Sequence, residues 1–229
     1  MDFEGFGLAL LEGAWTTVRL AALSLGLAFV LGLAGASARL SRHALPRAIG
    51  AAYTTLIRSV PDLVLMLLLF FSTQMLLDQA TDALRIAQID IEPFVADVLT
   101  IGFIYRAYFT ETFRGAFLGV PRGEPEAGMA FGMSGWQAFH RILFPQMMRL
   151  ALPAIGNNWQ VIVKATALVS IIGLSDIVKA AQDAGRSSQR FFFFTIVAAG
   201  VYLCITSVSH VALAKLEARF SVGTRRATA

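Results

Sequence analysis

Asp62, Asp97, Glu111, Asn157 and Asn158 each interrupt a run of apolar residues. Carboxylates and amide oxygens in such runs can receive a positively charged group, because ionisable residues amid apolar sequence ordinarily face a cavity or a partner. Structural roles compete at every position. Asp62 stands four residues after Arg58 and Glu111 three before Arg114, the spacings of helix-surface ion pairs. Asp97 fits the beginning of a helix, and the two asparagines can equally satisfy helix contacts or water. Lys164 would repel a cation unless a carboxylate neutralised it, which favours a structural or gating pair.

Other chemistries find no footing. No G-x-x-x-x-G-K-[ST] run is present to cradle phosphates. His43, His140 and His210 lie far apart in sequence, without metal-ligand spacing, and no G-x-S-x-G nucleophile turn occurs. Cys204 has no second cysteine to pair with. The net charge of +4 could suggest nucleic acid, but the arginines are scattered between apolar runs and form no patch. Neither an ATPase nor a hydrolase nor a nucleic-acid binder is expected.

The elements that carry these polar residues are membrane spans. Of the 229 residues 56% are hydrophobic and 15% charged, with a mean hydropathy of +0.66. Soluble domains run nearer about 25% charged. A crossing helix needs about 20 mostly apolar residues. Five runs qualify: Trp15 to Ala38, Val60 to Leu77, Phe94 to Thr112, Leu152 to Leu174 and Phe191 to Leu213. The first is read as retained, since Asp2, Glu4 and Glu12 make an acidic N-terminus, unlike a signal peptide. Within it Ser24, Ala28, Gly32 and Ala36 form a row of small residues that suits close helix packing, although such residues are also simply common in membrane helices.

Orientation follows from the loops. Arg39, Arg42, Arg47 and Arg58 separate the first two runs, and Lys215, Arg219, Arg225 and Arg226 follow the last. The N-terminus is acidic, and Asp78, Asp82, Asp90 and Glu92 follow the second run. The positive-inside rule then puts the N-terminus outside and the C-terminus in the cytoplasm.

This places the long segment from Phe113 to Arg149 inside the cell. Glu124-Pro125-Glu126 opens one short helix there, and Gly132 and Gly135 punctuate its end. Ser134 and Gln137 match a capping box for a second helix, Trp136 to Phe144, stopped at Pro145. A cytosolic helix with an Ala/Gly/Met face either docks a partner or packs on the chain's own helices.

The spacing in this loop carries a resemblance. Glu126, Ala127, Gly128, Gly132, Ile142 and Pro145 follow the pattern E-A-A-x3-G-x9-I-x-L-P, with Gly128 for the second Ala and Phe144 for Leu. That resembles the signature loop of membrane subunits of bacterial ABC importers. Glu12 to Leu20, Ile57-Arg58-Ser59-Val60-Pro61, Tyr108 to Gly115 and Lys164 to Ser170 resemble the polar amino-acid permeases, with Ser59 for Gly and Ala167 for Ser. Val60 to Met66, Asp90-Ile91-Glu92-Pro93 and Asn157 to Val161 are similar to permeases for histidine, lysine, arginine and ornithine, or for octopine and nopaline.

The resemblance implies an all-α membrane protein, one transmembrane domain over residues 1–229 with five transmembrane helices and a cytoplasmic coupling-helix loop. It implies a subunit of the bacterial inner membrane with no catalytic residues, metal or cofactor of its own. ATP would be bound by two cytoplasmic ABC ATPase subunits, which would pull on the helix around Glu126 to Met133. A second permease, a copy or a paralogue, and a periplasmic solute-binding protein complete the set, and lipid surrounds it. Asp62, Asp97, Glu111, Asn157 and Asn158 then become candidates for the solute pathway. An ion-gradient-driven secondary transporter or channel, or a membrane anchor for a cytosolic enzyme, are the competing readings.

Overall fold

The computed structural model describes residues 5–88, 91–171 and 173–220; Asp2, Glu4, Asp90, Arg225 and Arg226, used above for orientation and resemblance, lie outside the described residues. The described residues are helical throughout their regular elements. In order these are α1 (Gly7–Arg39), α2 (Ala44–Ser59), α3 (Asp62–Leu84), α4 (Pro93–Gly119), α5 (Gly123–Ala130), α6 (Gly135–Ala138), α7 (Phe144–Ala165), α8 (Ile177–Ser188) and α9 (Phe191–Phe220). A π turn, Phe139–Leu143, joins α6 to α7, and a 3-10 segment, Thr166–Ile171, follows α7.

Local sequence explains the boundaries. Pro93 opens α4, where its missing N–H costs nothing. Val60 is extended because Pro61 follows it, and this breaks α2 from α3. Asp176 caps α8, its side chain accepting the N–H of Lys179 at 2.9 Å.

α4 is the central helix. It packs along α1 in parallel, since Arg19 lies over Phe94, Leu27 lies against Gly102, and Gly32 and Gly35 lie against Phe109 and Thr110. α3 runs antiparallel to it, with Asp62 beside Tyr105 and Phe70 near Thr100. α7 is antiparallel as well, pairing Asn158 with Thr112 and Leu150 with Gly119. α9 reverses again against α7, with Gln160 on Thr206 and Gly156 on Leu213. Helix directions thus alternate along the chain through α1, α3, α4, α7 and α9.

Among the described residues three helices, α1, α3 and α9, are both long and apolar enough to cross a membrane. α4 and α7 fall short in apolar character, not in length. At 1.5 Å per residue their 27 and 22 residues reach roughly the ~30 Å of a hydrocarbon core. Their polar residues are tolerable in a helix that protein largely surrounds: Asp97, Thr100, Tyr105 and Thr110 of α4 are all buried.

The structure departs from the sequence reading in several places. The fourth run, expected as Leu152 to Leu174, is the end of a helix that starts at Phe144 and stops at Ala165, followed by the 3-10 segment, and the charged helix α8 is unexpected. The basic stretch between the first two spans is not a plain loop but the 16-residue helix α2. The second loop helix is not stopped at Pro145. The chain widens into the π turn just before it and continues as α7, with Pro145 in the first turn. In a regular helix the proline ring would strike the carbonyl four residues back. The wider turn removes that conflict.

Candidate functional site

The signature loop folds into an open cleft. α5 begins one residue earlier than its acidic Glu124-Pro125-Glu126 signal, and it ends at Ala130. The Ser134–Gln137 capping box forms as expected, with Gln137 N–H donating to Ser134 Oγ at 3.3 Å and Ser134 N–H to Gln137 Oε1 at 2.9 Å. Ala127, Gly128, Ile142 and Pro145 line the cleft, of about 580 Å³, together with Glu124, Phe131, Met133, Arg141 and Gln146. Residues 14 to 18 apart in the sequence pattern are therefore walls of one groove. Gln146 donates to Glu124 across it.

Gly128 explains its own departure from the Ala of the pattern. A Cβ there would meet Ile142 Cδ1, so the isoleucine occupies the space of the missing methyl. Gly132 punctuates the end of α5, as its place in the sequence predicts. Nothing lies within 4 Å of where its Cβ would be, but its φ is +88°, which a side chain disfavours. It makes the turn out of α5, its N–H donating to the Met129 carbonyl at 3.0 Å. Glu126 and Gly132 sit outside the cleft wall, exposed. Phe131, at 89% exposure, and Trp136, at 71%, stand open beside them.

The polar candidates in the helices divide into separate groups. Asp62 Oδ2 accepts from Tyr105 Oη at 2.7 Å, joining α3 to α4. Arg58 lies over the Tyr108 ring at 5.5 Å, and no ion pair joins it to Asp62 among the described residues. Glu111 is held from three sides: Arg39 Nε at 3.0 Å, Arg114 Nε at 2.7 Å and Thr54 Oγ1 at 3.1 Å. The pairing with Arg114 is the structural alternative read from spacing; Arg39 and Thr54 add ties to α1 and α2. A polar cavity of about 430 Å³ opens here, lined by Arg39, Thr54, Thr55, Arg58, Ser59, Tyr108 and Glu111. Asp62 is not among the lining residues; it is bonded to Tyr105, whose ring stacks on that of Tyr108 with centroids 5.3 Å apart.

Asp97 and the asparagines are elsewhere. Asp97 is buried near the start of α4. Asn158 is buried and donates to Thr112 Oγ1 at 3.2 Å, a helix–helix contact. Asn157 points the other way and is exposed, on the same face of α7 as Val161 and Lys164. Sequence reasoning missed Tyr108, Arg39 and Thr54 at the cavity, and Tyr105 as the partner of Asp62. The i,i+3 spacing of the two tyrosines, one turn before Glu111 on α4, was the available signal.

Known proteins resemble this chain in sequence and in fold. Residues 27–222 match the family described as binding-protein-dependent transport system inner membrane component. The chain belongs to this family. It is a membrane protein, the permease component of an ABC transport complex that contains other subunits. Over 223 residues it is 56% identical to the histidine/lysine/arginine/ornithine transport system permease protein HisQ of Salmonella typhimurium, covering 97% of this chain and 98% of that one. It is 37% identical to the octopine transport system permease protein OccQ of Rhizobium meliloti, covering 97% and 94%. Among solved structures, an amino acid ABC transporter crystallised with histidines superposes with a TM-score of 0.78 at 26% identity, covering 96% of this chain and 99% of that one. The MetNI methionine ABC transporter, inward facing, shares the fold with a TM-score of 0.72 at 16% identity, covering 98% and 100%. The binding-protein-dependent permeases are thus its relatives in sequence and in fold.

Proposed function

We propose that this permease forms half of the translocation pathway for basic amino acids or the opines derived from them, and is driven through the α5 cleft by a separate ATPase. The observation that carries the reading is the cleft itself. Ala127, Gly128, Ile142 and Pro145 converge on one groove with Phe131 left open above it. An apolar groove with an exposed aromatic at its lip gives a rigid partner something to grip.

The whole chain acts as one transmembrane domain of five spans, with its N-terminus periplasmic and its C-terminus cytoplasmic. Alternating helix directions support this, as do Arg39, Arg42 and Arg47 around α2 on the side of the α5 cleft. A second permease, two cytoplasmic ATPase copies and a periplasmic solute-binding protein complete the machine. ATP and any cofactor requirement belong to the ATPase. The solute class is supported by the cavity between α2 and α4. Arg58 offers a guanidinium group to an α-carboxylate, Glu111 fixes the cavity wall through Arg39 and Arg114, and Asp62, beside the cavity on Tyr105, offers a carboxylate to a cationic group. Asn157 and Lys164, exposed on α7, belong to the face that meets the second permease across the path. In this reading Asp97 and Asn158, both buried, stand behind the path and not in it.

Co-purification from membranes tests the assembly. Mass spectrometry of the detergent-solubilised complex should find this chain with a second permease and two ATPase copies, and its ATPase should be stimulated by a binding protein loaded with arginine or lysine. A chain that purifies alone, or a complex indifferent to every loaded binding protein, contradicts the reading.

A further inference from the structure

The corner between α1 and α2 is basic and free of acids. Arg42, His43 and Arg47 are all exposed, and the chain holds no Asp or Glu between Glu12 and Asp62. Among the described residues no carboxylate pairs with any of the three. Arg39 beside them is engaged with Glu111, and one of its guanidinium nitrogens donates to the Arg47 carbonyl at 3.5 Å. α2 itself has two different faces. Its inner face is packed: Gly50 lies on the Arg39 stem, Tyr53 donates to the Phe103 carbonyl, Thr54 donates to Glu111, and Ile57 is buried. Its outer face is apolar and open, with Leu45 at 72% exposure, Ile49 at 61% and Leu56 at 64%. Their spacing along the chain puts these three on one side of the helix.

α2 is also tilted into the bundle. Thr54, Arg58 and Asp62 meet Glu111, Tyr108 and Tyr105 in turn, so the chain moves from the last third of α4 towards its middle. Leu56 therefore lies deep beside the span, and Leu45 lies near the end of α4 that leads into α5. At 1.5 Å of rise per residue they stand about 16 Å apart. The result is an apolar ramp that starts at a basic collar and descends along the outside of the bundle. A peripheral helix with an apolar face and arginines at headgroup level is a membrane-surface element, and basic clusters beside a span attract anionic lipid. A protein partner would have to answer ramp and collar with separate side chains. A phospholipid carries both complements, acyl chain and phosphate, in one molecule. A free anion answers the collar alone.

We propose that the α1–α2 corner binds an anionic phospholipid of the leaflet on the side of the α5 cleft, its phosphate between Arg42, His43 and Arg47 and an acyl chain along Leu45, Ile49 and Leu56. The bound lipid holds the tilt of α2, and with it Thr54, Thr55 and Arg58 at the wall of the polar cavity. Calling that leaflet the cytoplasmic one rests on the orientation proposed above. The preference for an anionic headgroup rests neither on that orientation nor on the solute.

Native mass spectrometry of the assembled transporter in detergent, titrated with dioleoyl phosphatidylglycerol or dioleoyl phosphatidylcholine, tests the site. The wild type should retain phosphatidylglycerol preferentially. Each arginine at an anionic headgroup contributes about fivefold, so Arg42→Gln with Arg47→Gln should cut phosphatidylglycerol retention about 25-fold and leave phosphatidylcholine unchanged. Arg42→Lys with Arg47→Lys should keep most of the preference, since the headgroup responds to charge. Arg186→Gln with Arg190→Gln, exposed on the opposite end of the bundle, should change nothing. Glycerol phosphate should not displace the lipid. Equal retention of the two lipids by the wild type overturns the proposal without any variant. An unchanged preference in the glutamine pair overturns it too, as does displacement by glycerol phosphate, which would mark a site for free anions. Loss of a permease or ATPase subunit from the glutamine pair, with lipid preference intact, would mark a protein interface and equally overturn it. None of these readouts involves uptake, so the lipid site and the transport reading fail separately.

Discussion

Gly132→Arg should abolish uptake while leaving the permease folded and inserted. Gly132 lies at the lip of the α5 cleft, beside the open Phe131, and its own Cβ direction is empty. The backbone penalty for a side chain at φ +88° is about 1–2 kcal/mol. That is small beside the stability of a multi-helix bundle, and no atom lies within 4 Å of where the new Cβ would stand. The arginine would instead place a long cation where a partner must approach. Gly132→Ala separates the two effects, since alanine carries the same backbone strain without the bulk or charge. Uptake at matched membrane abundance should fall to background for arginine and stay within a few-fold of normal for alanine. Normal uptake by the arginine variant would remove the docking role.

The second large effect is structural. Gly32→Leu should prevent α1 from packing on α4, because a Cβ at Gly32 would run into Phe109 Cβ and lie 3.1 and 3.3 Å from the Phe109 backbone carbons. A flexible side chain can swing away from an intruder, but a helix backbone cannot. Overpacking of a core costs about 1–3 kcal/mol where side chains give way, and here the helices themselves must separate. Loss of the α1–α4 contact also removes the Arg39–Glu111 bridge. Gly26→Leu is the control, since nothing lies within 4 Å of its Cβ. Membrane abundance and melting of the purified complex should collapse for the first variant and match wild type for the second. Wild-type melting of Gly32→Leu would contradict the close α1–α4 approach.

How much of this was legible in sequence depends on the physics behind each signal. The small-residue row Ser24, Ala28, Gly32 and Ala36 is periodic, and all four residues are buried, the glycine against α4. The capping box was equally plain, because Ser134 and Gln137 satisfy each other within one turn. α2 and α8 were not read, because a short amphipathic helix with several charges looks like loop when sought by hydropathy. Pro145 misled in the opposite direction: a proline usually ends a helix, and only the π turn before it reveals that this one does not. The polar residues were the hardest. Glu111 could be paired with Arg114 from spacing alone, but Arg39 is 72 residues away and Tyr105 is 43 from Asp62. Such contacts exist only once helices pack, and no local pattern announces them. The cleft residues were legible as a spaced motif, while the groove they form was not.

The central claim is that this permease has no power source of its own and receives mechanical work through the α5 turn. Uptake of radiolabelled arginine by liposomes tests it most directly, comparing the permease alone with the complete complex and its loaded binding protein, with ATP inside and an uncoupler present. Accumulation should require the ATPase subunits and internal ATP and should survive the uncoupler. Accumulation of arginine against its gradient by the permease alone, or its collapse on adding the uncoupler to the ATP-loaded complex, would contradict the account.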